Sequence, residues 1–396
     1  MRVCMLAYTF YEFDARVRRY AETLAKRGDH VDVIALGQKH QPSKETIQGV
    51  HLFRIQRRTY NERGRISYLL KLLLFFFRSM FFLTRKQLQH RYHLIHVHSV
   101  PDFEVFAAWF PKLMGSKIIL DIHDLVPEFY ASKFDVTPRS AVFKLLAAME
   151  RLSAAFADHV IIANDIWRKR LTGRSTKESK CTAILNFPDT SVFFHRGRKS
   201  NGQKFIMLYP GTLNYHQGVD IAIRAFALIK DAASDTEFHI YGRGPSKDSL
   251  AALIAELGLE GRVFLKECVS TPELAAIMEN SDLGVVPKRK TPFANEAFST
   301  KILEFMAQGV PVVVSDTLVD RHYFNESLVK FFRGEDERDL ANAMLLLFKD
   351  EGLRRRLAGN AGAYVGLNNW DVKKEIYLSI VDSLTRSGKG AGAVAA

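Results

Sequence analysis

The sequence predicts an α/β protein of two doubly wound domains, each a mostly parallel sheet with helices on both faces. Short β-branched runs alternate with helical patterns along nearly the whole chain, and strict alternation means parallel strands joined by crossover helices. At 396 residues the chain exceeds what one ordinary core fills. Between two such alternating sets lies NFPDTSVFFHRGRKSNGQK, residues 186–204, rich in Pro, Gly, Ser, Asn and basic residues and without periodicity. The domains are therefore expected at 1–190 and 200–369.

Taken in order, the strands of the first half are Arg2–Ala7, Val31–Leu36, Val50–Ile55, Leu94–His98, Lys117–Ile122 and His159–Ala163. The first of these opens the chain. It is too short an apolar run for a signal peptide, meets charged residues at once and lacks a small-residue cleavage site. YEFDARVRRYAETLAKRGDH follows with apolar residues at three-four spacing and Gly28 as a stop, which reads as a helix. The second half repeats the scheme with strands at Phe205–Tyr209, Glu237–Tyr241, Arg262–Leu265, Leu283–Val286 and Val310–Val314, and a helix from about Thr300 to Gln308. The last residues, GKGAGAVAA, are expected to be disordered. In open parallel sheets, ligands bind beyond the carboxyl ends of the strands. Two such sheets facing each other would enclose a cleft.

Composition narrows the class. Apolar residues make up 47% and charged residues 25%, as in soluble globular proteins. Cys4, Cys181 and Cys268 are far apart and show no metal-ligand spacing, which suits a reduced, cytoplasmic setting. The net charge of +13 is concentrated in the first hundred residues, and between 50 and 95 the only acid is Glu62. Charge this local suits an anionic surface. Nucleic acid is disfavoured, because the basic residues are interleaved with aliphatics rather than arranged along a polar stacking groove.

The segment FANEAFSTKILEFMAQGVPVVVSD, Phe293–Asp316, carries the chemistry. A helix starting near Ser299 or Thr300 presents unpaired N–H groups with partial positive charge. Two hydroxyls and Lys301 add to it, and the assembly suits a phosphate. Glu304, about one turn further in, can accept two hydrogen bonds from a ribose diol. Glu296, before the helix, can accept from a second sugar. The spacing fits a ribose–diphosphate–sugar ligand, although two surface acids flanking an amphipathic helix would read the same way. No G-x-G-x-x-G opens either domain, which argues against a dinucleotide oxidoreductase.

The combined pattern, two acids separated by seven residues and then E-x-M-A-x-G-x-P-V-V, resembles the retaining glycosyltransferases of the GT-B fold, specifically glycosyltransferase family 4, the glycosyl transferases of group 1. The resemblance covers nearly the whole chain. HLIHVHS and KIILDIHD match the histidine strands of the first domain, and YPGTLNYHQGVDIAIRAF, FHIYGRGP and NSDLGVVPKRK match the second. It implies that Glu304 binds the nucleotide ribose and Glu296 the transferred sugar. The backbone at Ser299, Thr300 and Lys301 and the loop at Gly211–Thr212 would hold the diphosphate, and Cys268–Val269 would meet the base. His123 would lie at the reaction centre, and a helix of about 370–386 would complete the first domain.

Two departures stand out. Where the family shows Arg and Lys in G-R-L-x-x-x-K-G, this chain has Thr212 and Gln217, and the first loop lacks the family's paired glycines. A leaving diphosphate needs its charge neutralised. Lys301 is the first substitute, with Arg243, Lys288 and Arg289 behind it. The resemblance implies sugar transfer with retention from a nucleotide diphosphate sugar, UDP-sugar first and GDP-sugar next, with no obligatory cofactor or metal. A non-catalytic nucleotide-sugar-binding protein and a GT-B-fold epimerase are the alternatives. His123 and Asp124 also admit a purely structural reading.

ISYLLKLLLFFFRSMFFLTRK, residues 66–86, is nearly all apolar apart from Lys71, Arg78, Arg85 and Lys86. The first three recur every seventh residue, a stripe that drifts only about 20° per heptad on a helix. Lys71 and Arg78 would fall inside a membrane span at about 2.5–3.5 kcal/mol each. An interfacial helix on an anionic membrane surface fits better, with a core helix as the alternative. The expected acceptor is accordingly a glycan or lipid-linked hydroxyl, and the expected location the inner face of the cell membrane.

Overall fold

A computed structural model describes residues 1–58, 65–134, 136–197 and 204–386. Glu62 and the tail from 387 onward lie outside the described residues. The chain divides into two compact units, Met1–Asn186 with Lys373–Ala396, and Phe187–Val372.

The first unit is built on eight strands: β1 (Arg2–Phe10), β2 (His30–Gly37), β3 (Lys44–Ile47), β4 (Val50–Arg57), β5 (Leu94–His98), β6 (Lys117–Ile122), β7 (His159–Ile162) and β8 (Cys181–Ala183). They form one sheet in the order β3-β4-β2-β1-β5-β6-β7-β8. Its central strands are buried on both faces, as a doubly covered parallel sheet requires; every residue of β5 is buried. The edge strand β3, with sequence KETI, is antiparallel to β4 and mostly exposed. Its polar letters carry no buried-strand signal, so periodicity passes over it. Asp14 caps the helix Ala15–Lys26 by accepting from the Val17 N–H.

The apolar stretch forms a helix, Arg65–Gln89, long and apolar enough by length and composition to cross a membrane. It is not all lipid-like surface, however. Leu72, Phe75, Ser79, Leu83 and Gln87 are buried, at three-four spacing, while Leu70, Leu73, Leu74, Phe77, Phe81 and Leu88 are exposed. One face is therefore core, and the excess apolar surface is the other. Lys71 is half-buried, and Arg78 and Arg85 are exposed.

The second unit holds β9 (Phe205–Pro210), β10 (Thr236–Tyr241), β11 (Val263–Lys266), β12 (Leu283–Val286), β13 (Val312–Ser315) and β14 (Lys330–Phe332), all parallel, in the order β11-β10-β9-β12-β13-β14. Met207, Phe226, Phe238, Ile240, Val285 and Met344 belong to its core. Strand order reverses between β9 and β12, which makes the crevice at their carboxyl ends a topological switch point, the ligand position in open α/β sheets. Strands β8 and β14, three residues each, are too short to register as a pattern.

The helix Thr300–Ala307 lies close on β12, and Gly284 permits it: a methyl there would stand 2.6 Å from the ring of buried Phe305. Gly284→Ala should destabilise the protein by about 1–3 kcal/mol through overpacking. Gly362→Ala, on a helix with open space around it, should be neutral or stabilising by up to about 1 kcal/mol. Urea unfolding midpoints of the two variants check the difference.

Candidate functional site

The residues singled out in the second half of the chain lie just beyond the carboxyl ends of neighbouring strands, or on the helix that follows. Gly211 and Thr212 follow β9, Arg243 follows β10, Cys268 and Val269 follow β11, and Lys288 follows β12. Glycines bring three of these loops together. A side chain at Gly242 would meet the Gly211 carbonyl oxygen at 1.9 Å, and one at Gly244 would meet the Leu213 oxygen at 2.4 Å. At Gly218, with φ +67°, it would strike the Pro287 oxygen at 2.0 Å. Backbone therefore lies on backbone across the loops after β9, β10 and β12, where no Cβ fits.

Lys301 reaches into this junction. It stands in the first turn of the Thr300–Ala307 helix, and its Nζ donates to Gln217 Oε1 at 3.3 Å. Its ammonium also lies 5.4 Å from the centroid of the Tyr209 ring, within cation–π range. A methyl at Gly211 (φ +146°) would come within 2.8 Å of Lys301 Cε and 3.0 Å of Nζ. The Tyr209 hydroxyl lies 2.8 Å from Thr212 O and 3.2 Å from Gln217 Oε1, donating its one proton to one or the other, so ring, amide and ammonium form one assembly. Burial pushes the Lys301 pKa down to about 8, with the Glu304 carboxylate pulling the other way and Lys288 adding to the fall. Ser299, at the N-cap of this helix, is buried, and among the described residues its hydroxyl has no hydrogen-bond partner. Thr300 and Glu304 are half-buried.

Glu296 is buried in a tight turn, with Asn295 N–H donating to Thr291 O and Glu296 N–H to Phe293 O. Lys288 secures that turn. Named above as a candidate for the diphosphate, it is instead only 3% exposed, paired with Asp320 at 2.9 Å, and donates to Ala297 O at 2.7 Å. Arg289 is likewise engaged, paired with Asp220 at 2.5 Å and stacked 4.1 Å over Tyr215. Neither presents a free cation to a ligand. Arg243, Thr212, Cys268 and Val269 are exposed.

In the first unit, His123 sits just past β6 and belongs to a cluster around Asp121. Arg16 grips Asp121 with two nitrogens, at 2.8 and 2.7 Å, and donates a third bond to Ile184 O. His98 Nδ1 lies 3.1 Å and His123 Nε2 3.0 Å from Asp121 Oδ2. Burial would raise the Asp121 pKa, but the Arg16 guanidinium and His123 hold it well below the usual carboxylate range. Burial would lower that of His123, and Asp121 overrides it, leaving His123 raised. Burial drives His96 well below its usual value. His96, His98 and Asp121 are near enough to share an ion, but Arg16 already places a fixed positive charge on both oxygens of Asp121. Asp124 is half-buried, and burial raises its pKa. Sequence reasoning passed over Arg16 and Asp121. The signal was the i,i+2 spacing of Asp121 and His123 in LDIHD, which puts both on one face of a strand end.

Two mostly parallel sheets of this kind, the second with an acid–lysine–acid helix start at its switch point, define the class: a GT-B-fold glycosyltransferase. The sequence profile of the glycosyl transferases group 1 matches residues 193–363, and that of the glycosyl transferase 4-like domain matches residues 14–186. The chain belongs to the group 1 glycosyltransferases and is a glycosyltransferase. Among curated relatives, it is 26% identical over 284 residues to the alpha-D-kanosaminyltransferase of Streptomyces kanamyceticus, covering 67% of this chain and 71% of that one. It is 23% identical over 261 residues to a Campylobacter jejuni N-acetylgalactosaminyltransferase named for a diphospho-undecaprenol acceptor, covering 61% and 65%. Among solved structures, the sucrose-phosphate synthase of Thermosynechococcus elongatus superposes with TM-score 0.79 at 19% identity, over 98% of this chain and all of that one. An Anabaena protein solved with UDP and glucose gives 0.71 at 17% identity, over 96% and 100%.

Removing one member of a buried ion pair strands the other charge at a cost of about 3–5 kcal/mol. Lys288→Met should therefore unfold at markedly lower denaturant than the parent. Lys290→Met, which breaks a partly exposed pair with Asp316, should cost about 0–1 kcal/mol. Guanidinium titrations of both variants test the contrast.

Proposed function

We propose that the chain moves a sugar, with retention at the anomeric carbon, from a nucleotide diphosphate sugar to a hydroxyl of a lipid-linked or membrane-associated glycan. The observation that carries this reading is the half-buried Lys301 laid across Gly211 at the switch point of a parallel sheet, in a segment flanked in sequence by Glu296 and Glu304. As the bond from the anomeric carbon to the diphosphate oxygen breaks, negative charge collects on the leaving group. Lys301 and the helix start would neutralise it. Glu304 would accept from the ribose, Glu296 from the sugar hydroxyls, and the exposed Cys268–Val269 loop would meet the base. The buried Ser299 hydroxyl gains a partner if a phosphate oxygen enters. Ligands of relatives favour UDP-sugar as donor, and the Campylobacter relative favours a lipid-linked acceptor. His123 would contribute to the transfer step from the first unit. We assign no protein nucleophile and no metal.

The exposed apolar side of the Arg65–Gln89 helix, with Arg78 and Arg85 beside it, supports peripheral attachment to the inner face of an anionic membrane. A non-catalytic sugar-nucleotide binder would retain donor affinity without turnover, and an epimerase would release altered free donor.

Thermal shift against a panel of nucleotide sugars should single out one donor. Lys301→Ala and Glu304→Ala should each weaken its binding roughly 10- to 100-fold; wild-type affinity in both would remove the proposed site. NMR of the product with that donor should give the anomeric configuration of the donor.

Donor affinity should also fall as pH rises through about 8, because only the charged Lys301 attracts the diphosphate. Lys301→Arg, charged throughout, should show a flatter profile. Calorimetric titrations between about pH 7 and 10 read the sign.

A further inference from the structure

We propose that a slot between the β3–β4 hairpin and the Arg65–Gln89 helix binds a single anionic phospholipid, one acyl chain among its phenylalanines and the phosphate between Lys44 and Lys86. This rests on the reading that the helix meets a lipid surface, and deepens it from adsorption to a discrete site.

The slot has a volume of about 630 Å³ and is lined by Phe53, Phe77, Phe81 and Phe82, with Lys44 and Arg78 on its wall. That volume is in the range of small-molecule sites. Phe53, on β4, and Phe82, on the helix, pack with ring centroids 4.9 Å apart. Phe77 and Phe81, more than half exposed, join the slot to the apolar strip of Leu70, Leu73 and Leu74, so a chain leaving the slot stays on apolar surface.

Charge beside the slot favours a phosphate. The Lys44 ammonium lies 6.0 Å and that of Lys86 4.9 Å from the centroid of the same ring, Phe53. Lys86 also lies 5.8 Å from the centroid of Phe82, so both ammonium groups stand within cation–π range of rings that line the slot. Among the described residues no carboxylate pairs with either. Glu45, the neighbour of Lys44, is taken up by Arg54, which also binds Glu12. Arg78 Nη1 donates to Ile55 O at 3.3 Å, which holds its guanidinium against the hairpin. Cations beside the rings of an aromatic slot complement a phosphate with a hydrocarbon tail. A peptide would find few partners for its backbone along the ring-lined wall.

The test uses the full chain and dihexanoylphosphatidylglycerol below its micelle-forming concentration, with glycerol phosphate as the headgroup alone, both by calorimetry. Sedimentation with phosphatidylglycerol and phosphatidylcholine vesicles runs alongside. The monomeric lipid should bind at least about tenfold more tightly than the headgroup. The double variant Lys44→Gln/Lys86→Gln, and separately Phe82→Ser, should each weaken it by about fivefold or more. Thermal midpoints and nucleotide-sugar binding should stay at parental values. If Phe82→Ser does not fold, the lysine pair carries the comparison. Vesicle binding with monomer affinity no better than the headgroup, or unchanged in the lysine variant, overturns the slot and leaves surface adsorption standing. Absence of binding to both vesicles and monomer removes the membrane reading as well.

Discussion

The second unit is organised around a cation in the wrong solvent. Lys301 keeps its ammonium largely out of bulk water with an amide oxygen, an aromatic face and the field of the Glu304 carboxylate for company. Desolvating a charge without full pairing is unfavourable, so the surroundings must force it. They do so through absences: no side chain at Gly211, where the lysine lies, and none at Gly284, where its helix seats on β12. A cation left short of hydrogen-bond acceptors attracts a polyanion more strongly than a solvated one, and it needs no rearrangement when the anion arrives.

Elsewhere the positive charges are spent. Lys288 and Arg289 follow directly on β12, in the ligand-binding crevice of such sheets, yet both hold the surrounding loops together. In the first unit the arrangement is reversed: Asp121 is buried and saturated by Arg16, His98 and His123. That network fixes the orientation of His123 and leaves its ring partly open to solvent. A rigid imidazole on a fully satisfied carboxylate suits a positioned hydrogen-bonding group better than a mobile surface histidine.

The family pattern and its gaps were both readable in the letters. The acid pair, the Gly-x-Pro-Val-Val run and the loss of Arg and Lys at 212 and 217 could be seen without coordinates. What replaced the missing cations could not. Position in the motif put Lys301 ahead of Arg243, Lys288 and Arg289, but burial and partners, which only the fold supplies, decide which cations are engaged elsewhere. Gln217 looked like a loss, yet its amide accepts from Lys301 and so takes part in presenting the charge, across 84 residues of sequence. The apolar helix posed the same problem. Its composition suggested apolar surface nearly all round, and only packing revealed that Phe75 and Leu83 are core while Phe77 and Phe81 face outward.

Alternation of strand and helix, the class of sheet, and the acid–lysine–acid helix start were determined by the sequence itself. They rest on local periodicity and on a motif whose parts lie within one turn and its approach. The tertiary structure alone decided which cation is poised, which acid is saturated and which face of the long helix is surplus. Those properties depend on desolvation and on partners distant in sequence, and the same lysine or phenylalanine letter is consistent with either outcome until the chain has closed around it.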